Sequence, residues 1–261
     1  MKQKSFLLQQ SHRILKRCNL LLLLSLFLLP ILINAQESTL KTYRNINGKY
    51  GFKNQANKTI VEATYDIAYD FSDGLAAVVM DKKIGYIDTA GKLVIPIQYQ
   101  GGDHFKENMA RVQLDSKWGF INKTGKQIIP FIYQSADRFY AGTARAKLND
   151  KWGFIDKTGK EIIPFKYQDE DTASEGLIRV KLDSNWGFID KTGKEIIAFK
   201  YQLTGNFKEG LAWAALHNKY GFIDKTGKEI IPFKYQSVDN ISEDMLRVKL
   251  NNKWGFIIKQ E

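Results

Sequence analysis

Catalysis by a nucleophile, a carboxylate pair or a bound metal needs particular side chains brought close together, so the scarce reactive residues come first. The chain has one cysteine and three histidines. Cys18 falls in the first 35 residues, which leaves His104 and His217 as the imidazoles of the remainder. His217 stands at a position filled elsewhere by Asp or Asn and reads as a turn residue. No two-histidine metal motif, phosphate-binding glycine loop or serine-nucleophile motif is present. Asp169-Glu170-Asp171 is the most acidic stretch, next to Ala173. Its carboxylates are close enough for Ca²⁺ but lack the ligand spacing of a recognised calcium loop, so it reads as a solvated loop. The expectation is a chain that is not an enzyme and needs neither metal nor cofactor.

Cations offer the better candidate. Arg111, Arg145, Arg179 and Arg247 recur at equivalent positions, as do Lys147, Lys181 and Lys249. Stacked repeats would align them into rows beside Trp and Phe, able to grip an anionic glycan, a lipid headgroup or an acidic protein surface. The alternative is that the long side chains cover aromatic faces and keep their charges wet. Trp213 and Ala215 interrupt the rows, and Trp213 is either aromatic bulk moved to the neighbouring strand or a ligand platform. If the four arginines form a functional stripe, replacing them should leave the fold largely intact.

The elements that position these residues begin after a leader. Lys2, Lys4, Arg13, Lys16 and Arg17 precede an apolar run from Leu20 to Ile33, and Ala35 supplies a small residue at its end. That is the layout of a secretory signal peptide over residues 1–35, leaving residues 36–261 as one β domain. Fourteen apolar residues are short for a bilayer span, and no transmembrane segment is expected after cleavage. Loss of the leader lowers the formal charge from +11 to about +6. An exported protein, periplasmic, outer-surface or extracellular, is expected, with no nucleic-acid partner.

The rest of the chain repeats. Gly51, Gly85, Gly119, Gly153, Gly187, Gly221 and Gly255 follow one another at intervals of 34 residues. Short alternating segments punctuated by Gly, Pro, Asn and Asp read as strands and turns. Each unit reads as three strands, exemplified by 177–182, 186–189 and 195–199. Asn47-Gly48 is the strongest two-residue hairpin signal among the first turns. Asp156-Lys157-Thr158-Gly159 reads as a three-residue turn whose last residue needs positive φ, a position held by Asn57 in the first unit. A two-residue first turn puts Trp186 and Phe188 on one face with Arg179 and Lys181. Gly187 and Ile189 then share the core face with Ile178, Val180 and Leu182. Pro96, Pro130, Pro164 and Pro232 are expected to close the third strand. Tyr65, Tyr99, Tyr133, Tyr167, Tyr201 and Tyr235 then open a longer connection anchored by Phe71, Phe105, Phe139 or Phe207.

These features resemble the WG-repeat, or KWG-repeat, family of bacterial β-repeat proteins, named for the pair seen at Trp118, Trp152, Trp186 and Trp254. The resemblance covers Tyr43 to Ile258, with Tyr50, Ile84 and Tyr220 in place of Trp. It implies a β-repeat fold and carries no catalytic residues. The expected architecture is all-β: an array of 34-residue three-stranded antiparallel repeats, curved or superhelical, with a closed seven-unit propeller-like ring as the alternative. The expected function is an exported, non-catalytic binding or scaffolding protein of the cell envelope. An unknown protein or an anionic envelope component is its partner. A basic protein of anionic envelope surfaces or glycans is the alternative, and a glycan or cell-wall hydrolase with acids from the irregular connections comes behind it.

Overall fold

The 34-residue period becomes a row of antiparallel meanders in a computed structural model, which describes residues 40–171, 173–242 and 245–258. The leader, Cys18 included, lies outside the described residues. Among the described residues no helix is long and apolar enough to cross a membrane. The described residues form seven sheets, the first and last of three strands and the five between of four. The fourth sheet serves as the pattern: Ser135–Ala136, Thr143–Leu148, Lys151–Asp156 and Glu161–Tyr167, paired in chain order.

The three expected strands are present, and the short leading strand is an addition. Two residues carry no readable periodicity, so their pairing is imposed by the partner strand. Gln134 N–H donates to Lys147 O and Asp137 N–H to Arg145 O on either side of the Ser135–Ala136 pairing.

The turns follow from backbone sign. Asp115-Ser116, Asn149-Asp150, Asp183-Ser184, His217-Asn218 and Asn251-Asn252 all have positive φ at both residues, as a two-residue type I′ hairpin requires. His217 is therefore a turn residue. Asn47-Gly48 behaves otherwise: Asn45 N–H donates to Lys49 O and Gly48 N–H to Asn45 O, making a three-residue turn with Gly48 at φ 80°. The expected hairpin register is correct, but that dipeptide was the wrong reason for it. In the second turn Asp156 Oδ1 accepts the N–H groups of Thr158 at 2.8 Å and Lys160 at 3.0 Å. Gly159 has φ 84° there, and Asn57 takes the same place with φ 60°.

Register sets the faces. Lys181 opposes Trp186, Arg179 opposes Phe188, and Val180 opposes Gly187, so the arginines share the Trp-Phe face as expected. The third strand departs from expectation, running past proline to the tyrosine, as in Glu161–Tyr167. Pro164 sits at a bulge between the Trp152–Tyr167 and Phe154–Ile163 pairings, on an outer strand where its missing N–H costs no ladder bond. Tyr167 is buried at the end of that strand rather than opening a loop.

Consecutive sheets pack face to face. Phe52 and Tyr65 of the first sheet meet Ala76, Val78 and Ile87 of the second, and the pattern continues to Phe222 and Tyr235 against Leu246 and Val248. The recurring glycine is a close-approach position: a Cβ on Gly153 would lie 2.6 Å from Ile163 O. Tyr133 and Phe165 rings, one sheet apart, lie 5.8 Å between centroids, and Tyr167 and Phe199 repeat the contact at 6.1 Å.

The ring alternative fails at the end of the row. Among the described residues no hydrophobic cluster joins the seventh sheet to the first. Phe256 is 66% exposed, whereas its equivalent Phe222 is 0% exposed under the next sheet. The array is open.

Candidate functional site at the fourth seam

The arginine rows lie in the seams between sheets. Arg179 stacks 4.5 Å over the Trp186 ring of its own sheet and places Nη2 2.9 Å from Asp171. Its Nη1 donates to the Thr204 carbonyl on the leading strand of the next sheet. Arg111 repeats this with Trp118 at 4.2 Å, Asp103 at 2.7 Å and the Ala136 carbonyl. Arg247 stacks 4.5 Å over Trp254 and pairs with Asp239 at 3.1 Å. A planar fork can hold a ring face, a carboxylate and a carbonyl at once, so Arg111 and Arg179 act as clasps across their seams, while Arg247 in the last sheet holds a ring and a carboxylate. Lys147 and Lys181 reach within 5.8 and 5.9 Å of the Trp152 and Trp186 rings. Lys249 accepts through its carbonyl from Gln236 N–H. Trp213 is partly buried, 5.9 Å from the Tyr220 ring, over Gly205.

Arg145 has the same setting with one difference. It stacks 4.6 Å over Trp152 and lies 2.7 Å from Asp137, but its Nη1 donates to the Glu170 side chain. Glu170 stands where the other units carry Ala68, Gly102, Ala136, Thr204 and Val238. Its side chain is 1% exposed. The acidic stretch read as a solvated loop therefore contributes a buried carboxylate, because the leading strand turns Glu170 into the seam.

Two further departures meet it. In other seams a phenylalanine from the connection covers the ring of the preceding sheet: Phe105 on Tyr86 at 5.0 Å, Phe139 on Phe120 at 4.7 Å, Phe207 on Phe188 at 4.8 Å. At the fourth seam the anchor is Ala173, and Phe154 is only partly buried. Elsewhere a turn lysine reaches a glutamate of the preceding sheet, Lys157 to Glu107 at 2.8 Å and Lys225 to Glu175 at 2.9 Å. The equivalent Lys191 faces Ala141 at that position and has no carboxylate partner among the described residues. The result is a cavity of about 550 Å³ between the fourth and fifth sheets, lined by Phe154, Glu170, Ala173, Lys191 and Ala141 among others. That volume suits a small-molecule site, with apolar walls from Phe154, Ile163 and Ile178 and charged groups from Asp137, Arg138, Arg145, Glu170 and Lys191.

Electrostatics sharpen the site. Burial pushes the Glu170 carboxyl up to about 7, against the opposing pull of Arg145 and with help from Asp137 and Asp171. Arg145 is held above its ordinary value: burial pulls it down, and the Glu170 and Asp137 carboxylates more than offset that. Among the described residues Glu170 Oε2 has no hydrogen-bond partner.

Sequence reading missed two devices. The glutamine after the tyrosine clamps the next two-residue turn at Gln134, Gln202 and Gln236: Gln202 Oε1 accepts from Asn218 N–H at 2.7 Å while its Nε2 donates to Asn218 Oδ1 at 3.0 Å. The recurrent Tyr-Gln pair carried that signal. The buried Glu170 was visible only by comparing each position across units, since its own neighbours are acidic and look solvated.

These sheets, turns and clasps recur at the spacing of one family. The model of the WG-containing repeat matches residues 50–83, 84–118, 118–152, 152–186, 186–220 and 220–254. The chain belongs to the WG-repeat family. A comparison with curated proteins gives no match. Among solved structures, the extracellular domain of a putative one component system from B. thetaiotaomicron is 11% identical with TM-score 0.32, covering 85% of this chain and 41% of that one. PorZ, a bacterial surface component of the type-IX secretion system of Porphyromonas gingivalis, is 10% identical with TM-score 0.32, covering 84% and 38%. A eukaryotic initiation factor is 10% identical with TM-score 0.44, covering 85% and 72%. The chain spans about two fifths of the length of the first two, and none of the three likenesses carries a functional argument.

Proposed function

We propose that the protein is an exported, non-catalytic binding protein of the cell envelope, in which the repeats form a rigid frame and the fourth seam receives the ligand. The observation that carries this reading is the coincidence of Glu170, Ala173 and Ala141. Three departures from the repeat, two from one stretch of the fifth sheet and one from the connection of the fourth, line one cavity. Export rests on the leader pattern of residues 1–35, and the net basic charge favours an anionic partner over a neutral one. The arginine rows carry less of the binding in this reading, because their guanidiniums already hold rings, carboxylates and carbonyls.

A second reading, an exported hydrolase, draws on the Glu170 carboxyl near neutrality in a cleft. The Arg145 clasp on that carboxyl favours binding over proton transfer. The test is a thermal-shift screen of a chemically broad compound panel against the protein and against Ala173→Phe. Compounds that raise the melting temperature only of the unsubstituted protein support the binding reading. Turnover of a glycan or cell-wall substrate, lost in Glu170→Ala, would replace it with the hydrolase.

A further inference from the structure

The fourth seam departs from its neighbours in three ways, and together they describe three groups of a ligand. The first is a ring: Phe154 has no covering phenylalanine, where Phe120 and Phe188 have Phe139 and Phe207 at 4.7 and 4.8 Å. Apolar surface left open in this way is favourable to cover, and rings meet best at the edge-on or tilted contacts seen in the sister seams. The second is a hydrogen-bond donor. Glu170 Oε2 is buried with no partner among the described residues, and an unmade bond on a buried carboxylate is costly. The third is an anion, because Lys191 keeps its place at the cavity while the glutamate that pairs with its equivalents is Ala141. Arg138 also lines the cavity, its guanidinium 3.7 Å from Asp103 and so already paired.

We infer that the cavity binds a small aromatic acid: a single ring lying on Phe154, a phenolic or similar donor directed to Glu170, and a carboxylate directed to Lys191. The inference rests on the reading of the fourth seam as the binding site and adds the ligand class to it. Charge and polarity agree with this orientation. Glu170 is 1% exposed on its side chain, whereas Lys191 is exposed, so the donor end enters and the anionic end stays at the mouth. Each polar end is matched and the ring needs no partner but apolar surface, as small-molecule sites generally show. The same chemistry could come from a free hydroxyaryl acid or from a tyrosine at the carboxyl end of a peptide. Both present a phenol and a carboxylate.

The test is calorimetric titration of the protein with 4-hydroxyphenylacetate, with phenylacetate, which lacks the donor, with 4-methylphenol, which lacks the anion, and with a tetrapeptide ending in tyrosine. The hydroxyaryl acid should bind about tenfold more tightly than either truncated probe, the loss expected for one charge-assisted contact. Lys191→Ala, an exposed turn substitution, should bring 4-hydroxyphenylacetate down to the level of 4-methylphenol. Ala173→Phe should abolish binding of all four, and Ala173→Leu provides a smaller filling if the ring is not accommodated. Tighter binding of the peptide than of the free acid identifies a chain terminus as the source, and the reverse identifies a free metabolite. Equal affinity for the three small probes, or an unchanged affinity in Lys191→Ala, overturns the ligand class while leaving the site. Failure of the whole compound panel to respond to filling of the cavity overturns the site itself.

Discussion

The Arg145 guanidinium donates to the Glu170 carboxylate across the fourth seam, where Arg111 and Arg179 donate to the backbone carbonyls of Ala136 and Thr204. One clasp in the array therefore closes on an ionisable group instead of a fixed dipole. Stability at that seam becomes dependent on pH.

The sign follows from the direction of the shift. Glu170 is raised from 4.5 to about 7, so the folded protein holds its proton more tightly than the unfolded chain. This contribution is fully present below pH 4.5 and is lost as pH rises through about 7, on the order of 3 kcal/mol in all. Asp137 and Asp171 add to the shift and Arg145 opposes it. Chemical denaturation between pH 5 and 8 should show this decline, and Glu170→Ala should flatten it. An equal decline in both proteins contradicts the burial of this carboxyl.

Removal of a clasp should destabilise the fold. Arg179→Gln loses the stack on Trp186, the pair with Asp171 and the bond to Thr204 O, and should cost on the order of 2 kcal/mol. Lys181→Ala, which loses only a contact 5.9 Å from the Trp186 ring, should cost under about 0.5 kcal/mol. Comparable melting temperatures for the two variants would restore the view of the arginines as a dispensable stripe.

The same motif position should respond oppositely at two places in the array. A Cβ on Gly153 meets Ile163 O at 2.6 Å and the Phe165 ring at 2.9 Å, so Gly153→Ala should cost about 2 kcal/mol or more. A Cβ on Gly255 would meet no described atom within 4 Å beyond its chain neighbours, and Gly255→Ala should change stability by less than about 0.5 kcal/mol. Urea denaturation of both variants decides it.

Much of this was legible in the sequence because the repeat is written in turn chemistry. Asp-Lys-Thr-Gly specifies positive φ at Gly159, and the alternation around Trp186-Gly187 specifies the faces. The leading strands were not legible, since two residues such as Ser135 and Ala136 carry no period of their own. Glu170 was hidden for a related reason: its burial is decided by a partner strand, whereas its sequence neighbours are solvated carboxylates. The arginine rows were found at the right positions and on the right face. What the sequence did not reveal is that this face is covered by the next sheet.

Filling the fourth seam should stabilise the protein. Ala173→Phe restores the ring that covers Phe154's equivalents and should add about 1–2 kcal/mol, the burial of one aromatic side chain less its ordering cost. A melting temperature that falls would mean that the cavity is shaped for something other than a phenyl ring.

The most direct measurement is methyl NMR of isoleucine-labelled protein during addition of 4-hydroxyphenylacetate. Ile163 and Ile178 line the cavity, whereas Ile129 and Ile197 occupy positions equivalent to Ile163 in seams that keep their own phenylalanine. The account predicts saturable shifts at Ile163 and Ile178 with Ile129 and Ile197 unmoved. No shift at Ile163 and Ile178, or equal shifts at all four, would contradict a binding site at the fourth seam.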